Sequence, residues 1–184
     1  MGGKIEFQSR KETCVASLMD ELLLTMDGET EQYEKLISLN GPKKDSIIHQ
    51  KLDILESITV QEQAIADSLL ELEKKRTHIL SSIASVMGKD GQQITVSWMN
   101  DNLANQPVEQ KKLIDAKGRL KDAADKMQTL NFQTQNLLRQ ALEMVEFDIT
   151  LLKSAKLAPQ TSNYGRNAVT TGELLGNSGF DAKQ

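Results

Sequence analysis

Residues 43–87 read KKDSIIHQKLDILESITVQEQAIADSLLELEKKRTHILSSIASVM, and this stretch decides the fold. Apolar residues recur in it every seven positions in two alternating sets, the spacing that keeps one seam of a helix facing a partner helix. Glu62 and Arg76 interrupt the seam, and buried polar residues at such positions most often fix helix register. The stretch predicts one long helix of a coiled-coil bundle. Its seam positions are Ile48, Leu55, Ile58, Glu62, Ile65, Leu69, Leu72, Arg76, Ile79, Ile83 and Val86.

The three prolines divide the chain, because proline removes a backbone donor and clashes with the preceding helical turn. They delimit three long segments and a tail, and helices are expected over residues 13–39, 43–87 and 107–155. The Asn-Gly-Pro turn at 40–42 is expected to fold the first helix back along the second, since short connections join antiparallel neighbours. Gly88 is expected to end the second helix, because glycine tolerates a positive φ.

The first and last helices carry apolar faces that suit packing on the central helix. The face of the first helix comprises Val15, Leu18, Met19, Leu22, Met26, Tyr33, Leu36 and Ile37, and it thins beyond Gly28. The seam of the last helix comprises Leu113, Ala116, Leu120, Ala123, Met127, Leu130, Thr134, Leu137, Ala141, Met144, Asp148 and Leu151. The patterns predict an all-α fold, an elongated antiparallel coiled-coil bundle of three long helices.

A connector and a C-terminal tail complete the chain. In the connector, Ser97 is expected to cap a short helix over residues 98–104, whose apolar side chains would dock on one end of the bundle. Those side chains are Trp98, Met99 and Leu103. The tail is rich in Gly, Ser, Thr and Asn and is expected to be largely disordered. We therefore expect a helical domain over residues 1–157 and a flexible tail over 158–184.

Length and composition bound the function classes. The 184 residues suit one domain, and a 4% aromatic content favours a thin helical core over a thick one. The net charge is −4 and no long block of like charge occurs, which disfavours nucleic acid and membrane surfaces as partners. Cys14, the single cysteine, cannot form an intrachain disulfide and is expected to be a small core residue beside the apolar face of the first helix. No signal peptide or membrane-spanning run is evident, which favours a cytoplasmic protein.

No constellation of catalytic or metal-ligating residues occurs in the sequence. Catalysis needs a nucleophile, base or metal that converges with its neighbours in a pocket. His49 and His78 lie far apart on one predicted helix and lack ligands at a zinc-site spacing. Phosphate-binding and nucleophile-elbow motifs are also missing. The sequence predicts a protein that is not an enzyme, with no catalytic residue, no metal and no cofactor.

A second apolar stripe runs beside the seam of the last helix. It comprises Leu138, Leu142, Val145, Ile149 and Leu152. The helix thus has more apolar surface than one partner helix covers. Two interpretations stay open: the stripe is buried between both other helices, or it is an exposed groove that binds an amphipathic helix of another protein.

Residues 130–147, LNFQTQNLLRQALEMVEF, resemble the signature of the FlgN family of flagellar export chaperones. That signature reads Leu-Asn, a polar stretch, Leu-Leu, and two further apolar turns that end near a phenylalanine. The tail resembles the family too, in YGRN at 164–167 and GFDAK at 179–183. Two positions depart from the family pattern: Thr134 replaces an asparagine, and Ala168 replaces a glycine.

The resemblance implies a cytoplasmic chaperone for the hook-associated proteins of the hook-filament junction. It would bind their C-terminal helical segments, prevent premature association and hand them to the export gate in the membrane, without a nucleotide. By the same resemblance, Tyr164 would contact the export gate, within a tail motif that includes Gly165, Asn167 and Phe180. The implied client-binding residues are Leu137, Leu138, Ala141, Leu142, Val145 and Ile149.

The alternative function is a structural coiled-coil adaptor or spacer that oligomerises constitutively. Heptad patterns alone serve packing within one chain and between chains equally well, so a homodimer stays open. A spacer would have no use for the tail motif around Tyr164 or for an apolar excess confined to half of one helix. The sequence therefore favours the chaperone.

Overall fold

The computed structural model describes the backbone of residues 2–89, 94–102 and 106–157, with side chains for 14–89, 94–101 and 106–156. Four helices and no strand occur in these ranges: α1 (Gly2–Ile48), α2 (Leu52–Val86), α3 (Val96–Asn102) and α4 (Pro107–Leu157). The all-α helical bundle is confirmed. The predicted tail, 158–184, lies outside the described residues.

The chain divides into two compact units, Met1–Val145 and Glu146–Gln184. The first unit holds α1, α2, α3 and most of α4. The described part of the second unit is the C-terminal end of α4, where every described side chain is exposed. The features below therefore belong to the first unit unless they lie on that end of α4.

The α1–α2 hairpin turns later than the sequence predicted. We expected α1 to end before the Asn-Gly-Pro turn at 40–42, but α1 continues through Pro42 to Ile48. Proline in a helix loses one backbone hydrogen bond, yet Asn40, Ser46 and Ile47 on both sides of it are buried, and their packing outweighs that loss. The predicted bounds 13–39 and 43–87 are therefore wrong at the turn, and Ile48 is exposed rather than part of the seam.

The turn at residues 49–51 closes with a Schellman motif. The Lys51 amide donates to the Ser46 carbonyl at 2.8 Å, and the Gln50 amide donates to the Ile47 carbonyl at 3.3 Å. Gln50 occupies the left-handed position of this motif, with φ 54°. The same motif ends α2, where Gly88 takes that position with φ 70°. Gly88 is the residue type that this left-handed conformation favours, whereas Gln50 is not.

Gln50→Gly is expected to raise the free energy of unfolding by about 0.5–1 kcal/mol, because glycine has no Cβ to disfavour the left-handed conformation. Denaturant titration followed by circular dichroism measures the change. Gln140→Gly in the exposed interior of α4 is the matched control and should destabilise by about 1 kcal/mol. A loss of stability in both variants would contradict this account of the turn.

The apolar core lies at the end of the hairpin opposite that turn. α1 and α2 are antiparallel, since Glu21 pairs with Lys75 at 3.1 Å and Lys43 with Glu62 at 2.6 Å. Far from the turn, both helices enclose a cluster with the connector and the start of α4. Its buried members are Met19, Leu22, Met26, Ile79, Leu80, Ile83, Ala84, Ile94, Met99, Leu113 and Ala116. Cys14, which we expected to be a small core residue, is exposed, so that prediction is wrong.

The connector docks on the core through α3. Met99 and Ile94 are buried in the cluster, and Trp98 packs against it. Thr95 caps the helix in place of Ser97, because its Oγ1 accepts the Trp98 amide hydrogen at 3.1 Å. The helix accordingly begins at Val96, two residues before the predicted 98–104, and Leu103 lies outside the described residues.

Three of the four polar seam residues of α2 and α4 form pairs with residues of another helix. Arg76 Nε donates to Glu29 Oε1 at 2.9 Å, and Lys43 Nζ donates to Glu62 Oε2 at 2.6 Å. Asn40 Nδ2 donates to Thr134 Oγ1 at 2.9 Å and so joins α1 to α4. These pairs hold α1, α2 and α4 in one register, which is the role that the sequence predicted for Glu62 and Arg76.

Candidate functional site

The α4 seam changes from buried to exposed along its length. Leu113, Ala116, Ala123 and Met127 are buried, and so is Thr134. Leu137 and Ala141 are half-buried. Further on, Met144 and Leu151 are exposed although they continue the same seven-residue repeat. The seven-residue repeat of α4 therefore continues beyond the residues that are buried in the bundle.

The second apolar stripe of α4 is exposed at every position. Leu138, Leu142 and Val145 are exposed in the first unit, and Ile149 and Leu152 are exposed on the end of α4 in the second. Burial between the two other helices, one of the two interpretations of this stripe, is thus excluded for the described structure. Of the six residues that the family resemblance singled out, four are exposed and the other two, Leu137 and Ala141, are half-buried.

Helix lengths explain why none of the described helices covers this face. α4 has 51 residues, whereas α2 has 35 because the turn lies at 49–51. α1 runs parallel to α4, since Asp27 pairs with Arg119 at 2.6 Å and Lys44 contacts Gln133 at 2.9 Å. Only four residues of α1 remain after Lys44. No part of the hairpin is left to pack on Met144 and Val145.

We call the exposed apolar surface on one side of α4, between Leu138 and Leu152, the open face. It covers about half the circumference of the helix, at about 100° per residue. Its members are Leu138, Leu142, Met144, Val145, Ile149, Leu151 and Leu152. Met144 and Leu151 were expected in the bundle seam, because they continue its seven-residue repeat and because the helices before and after Gly88 were expected to be of similar length. A prediction that α2 is much shorter than α4 would have indicated that the C-terminal part of the α4 seam is exposed.

The charged residues in this part of α4 are basic at its two ends and acidic between them. Arg139 and Lys153 are near the two ends of this stretch in sequence. Between them, Asp148 lies on the open face, and Glu143 and Glu146 lie on the other side of the helix. All five are exposed. Elsewhere, the side-chain hydrogen bond and the charge of Asp27 raise the pKa of Arg119 above its usual value. The open face offers an apolar surface with an acidic centre.

A cavity of about 380 Å³ lies between α1, α2 and α4. Glu29 and Arg76 form an ion pair on its wall, and Lys117 and Lys121 line its α4 side. Glu29 Oε2 has no hydrogen-bond partner among the described residues. No group of three or more His, Cys, Asp or Glu side chains within those residues could hold a metal ion.

Comparison with known proteins supports the resemblance seen in the signature. The family model described as FlgN protein matches residues 18–172, most of the chain. This chain belongs to the FlgN family. FlgN proteins are flagellar export chaperones, so the chain is a chaperone of flagellum assembly. No curated protein and no solved structure gives a significant match.

The FlgN match covers two of the three stretches that carried the resemblance, and GFDAK at 179–183 lies beyond it. It includes the open face of α4 and continues through residues 164–167 of the tail. Tyr164, Gly165, Asn167 and Phe180 lie outside the described residues, so their assignment stays a prediction. FlgN is a chaperone family and is not known for enzymatic activity. Among the described helices of this FlgN protein, none is long and apolar enough to cross a membrane.

Proposed function

We propose that this FlgN-family chaperone acts in the cytoplasm and binds the C-terminal helical segments of hook-associated proteins along the open face of α4. It keeps these clients from associating before export and hands them to the export gate. The observation that carries the proposal is the open face itself, an unbroken helix with exposed Leu138, Leu142, Val145 and Ile149. Monomeric soluble proteins rarely expose such a contiguous apolar surface without a partner.

Helix-in-groove packing suits this surface. An amphipathic client helix would lay its apolar residues, spaced by three and four, along the open face. The half-buried Leu137 and Ala141 would form the edge of the contact where α4 leaves the bundle. Burial of apolar area is the main favourable term in such an association. The client's own apolar face would be hidden from other copies, which is the work of a chaperone.

Suppression of client self-association tests this function. A purified C-terminal fragment of a hook-filament junction protein from the same organism is followed by light scattering, with and without the chain. We expect stoichiometric suppression and a complex that elutes as one species in size-exclusion chromatography. Unchanged scattering, together with a stable homodimer of the chain alone, would support the structural spacer instead.

The tail is proposed to contact the export gate through Tyr164. Tyr164→Ala is expected to leave client affinity within about twofold and to lower export of the client by about fivefold or more, as the loss of one aromatic anchor does at an interface. Client affinity is measured by calorimetry and export by the client content of the culture medium. Asn163→Ala, the neighbouring change in the same tail, is the control. Normal export by Tyr164→Ala would remove this role.

A further inference from the structure

Four polar residues interrupt the seams of α2 and α4, and three of them have partners inside the bundle. Glu62 pairs with Lys43 at 2.6 Å, and Arg76 pairs with Glu29 at 2.9 Å. Thr134 accepts a hydrogen bond from Asn40 at 2.9 Å. The fourth, Asp148, is exposed and makes no hydrogen bond or ion pair with any described residue. Of these four seam residues, Asp148 is the one that is not paired with a residue of another described helix.

Asp148 lies inside the open face rather than at its rim. On a helix, residues three and four positions apart are neighbours. Those neighbours of Asp148 are apolar and exposed on both sides: Met144, Val145, Leu151 and Leu152. A helix that covers the open face therefore covers Asp148 as well. Covering a carboxylate is strongly unfavourable unless the partner supplies a positive charge or hydrogen bonds to it.

We infer that the client helix presents a lysine or arginine at the seam position that faces Asp148. This inference rests on the proposed function and names the chemistry of the partner. Between residues 140 and 152, α4 carries three acidic residues and no basic one. Of these three, Asp148 is the one that lies on the open face, since Glu143 and Glu146 lie on the other side of the helix. An apolar client face interrupted by one cation is complementary to it, and the pair fixes the register of the complex.

The same charge disfavours a second copy of this chain on the open face. Two α4 helices that paired face to face around Asp148 would bring this carboxylate close to acidic residues of the other copy. Like charges in such a contact are destabilising and select against the wrong partner. Asp148 thus favours a basic client helix over self-association through α4.

Calorimetry of the full chain with the junction-protein fragment tests the pairing. Asp148→Lys is expected to raise the Kd at least about tenfold. Glu143→Lys makes the same charge change on the opposite side of α4 and should alter the Kd less than about twofold. Single Lys→Glu or Arg→Glu changes in the fragment are then screened against Asp148→Lys. One of them should restore binding, and that position identifies the client cation.

The salt dependence gives a second readout that a purely structural role would not change. The Kd of the wild-type chain should rise more steeply with salt than that of Asp148→Asn, which lacks the charge. If wild type and Asp148→Lys bind the fragment equally, or if no charge reversal in the fragment restores binding, the inference is wrong while the proposed function stands. If the wild-type chain does not bind the fragment, both are wrong.

Discussion

Val145→Asp is expected to weaken client binding about 30-fold or more while helix content stays unchanged. Val145 is 39% exposed and lies near the middle of the open face. A carboxylate placed there would be desolvated when a client helix covers it. Losses of about 2 kcal/mol are typical for central residues of an interface. Calorimetry measures the affinity and circular dichroism measures the helix content.

Val60→Asp is the matched control for this substitution. Val60 is 66% exposed in the N-terminal third of α2, so the change introduces the same charge on a helix outside the proposed contact. It should leave client affinity within about twofold. Equal weakening by both variants would place the client elsewhere. A loss of helicity in Val145→Asp would show that Val145 belongs to the core of the fold.

Leu22→Ala is expected to lower the free energy of unfolding by about 3 kcal/mol, because it leaves a cavity in the apolar core. Leu22 is 0% exposed and packs within the cluster that joins α1 and α2 to the connector and the start of α4. Denaturant unfolding measures the change as a lower midpoint at an unchanged m-value. Affinity for the client should be unchanged at temperatures where the variant is folded.

Leu24→Ala, two residues further along α1, is the control. Leu24 is 72% exposed, and its truncation should cost less than about 0.5 kcal/mol. The two changes share residue type and helix and differ in burial alone. Similar destabilisation by both would contradict the core as described. The comparison also separates residues that stabilise the fold from residues of the open face, where truncation should weaken binding and spare stability.

Much of the fold could be predicted from the seven-residue repeat. The repeat identified α2 and α4, and the polar seam residues Glu62 and Arg76 proved to be paired across helices. The position of the hairpin turn could not be predicted. Asn-Gly-Pro at 40–42 has the stronger local turn signal, but long-range burial of Asn40 and Ile47 keeps α1 helical there. Local propensity yields to tertiary packing when the buried face continues past the break.

The candidate site was only partly predictable for the same reason. The apolar excess of α4 and the resemblance to the FlgN family identified Leu138, Leu142, Val145 and Ile149. Whether that apolar excess lies in the core or on the surface depends on where the partner helices end. Because the turn between α1 and α2 was predicted at 40–42 instead of 49–51, the ends of these helices were predicted wrongly. Once α1 ends at Ile48 and α2 is short, Met144 and Leu151 are left exposed as well. A seam pattern shows that a helix needs a partner but not which molecule provides it.

Titration calorimetry of the chain with a C-terminal fragment of a hook-filament junction protein, repeated at several temperatures, tests the central claim most directly. Binding along the open face buries apolar area, so we expect saturable binding with a negative heat-capacity change. The heat-capacity change should become smaller in magnitude in Leu142→Ser, which lies on the open face, and should not change in Leu24→Ser. An absence of binding between a folded chain and a competent fragment would contradict the account and favour the coiled-coil adaptor.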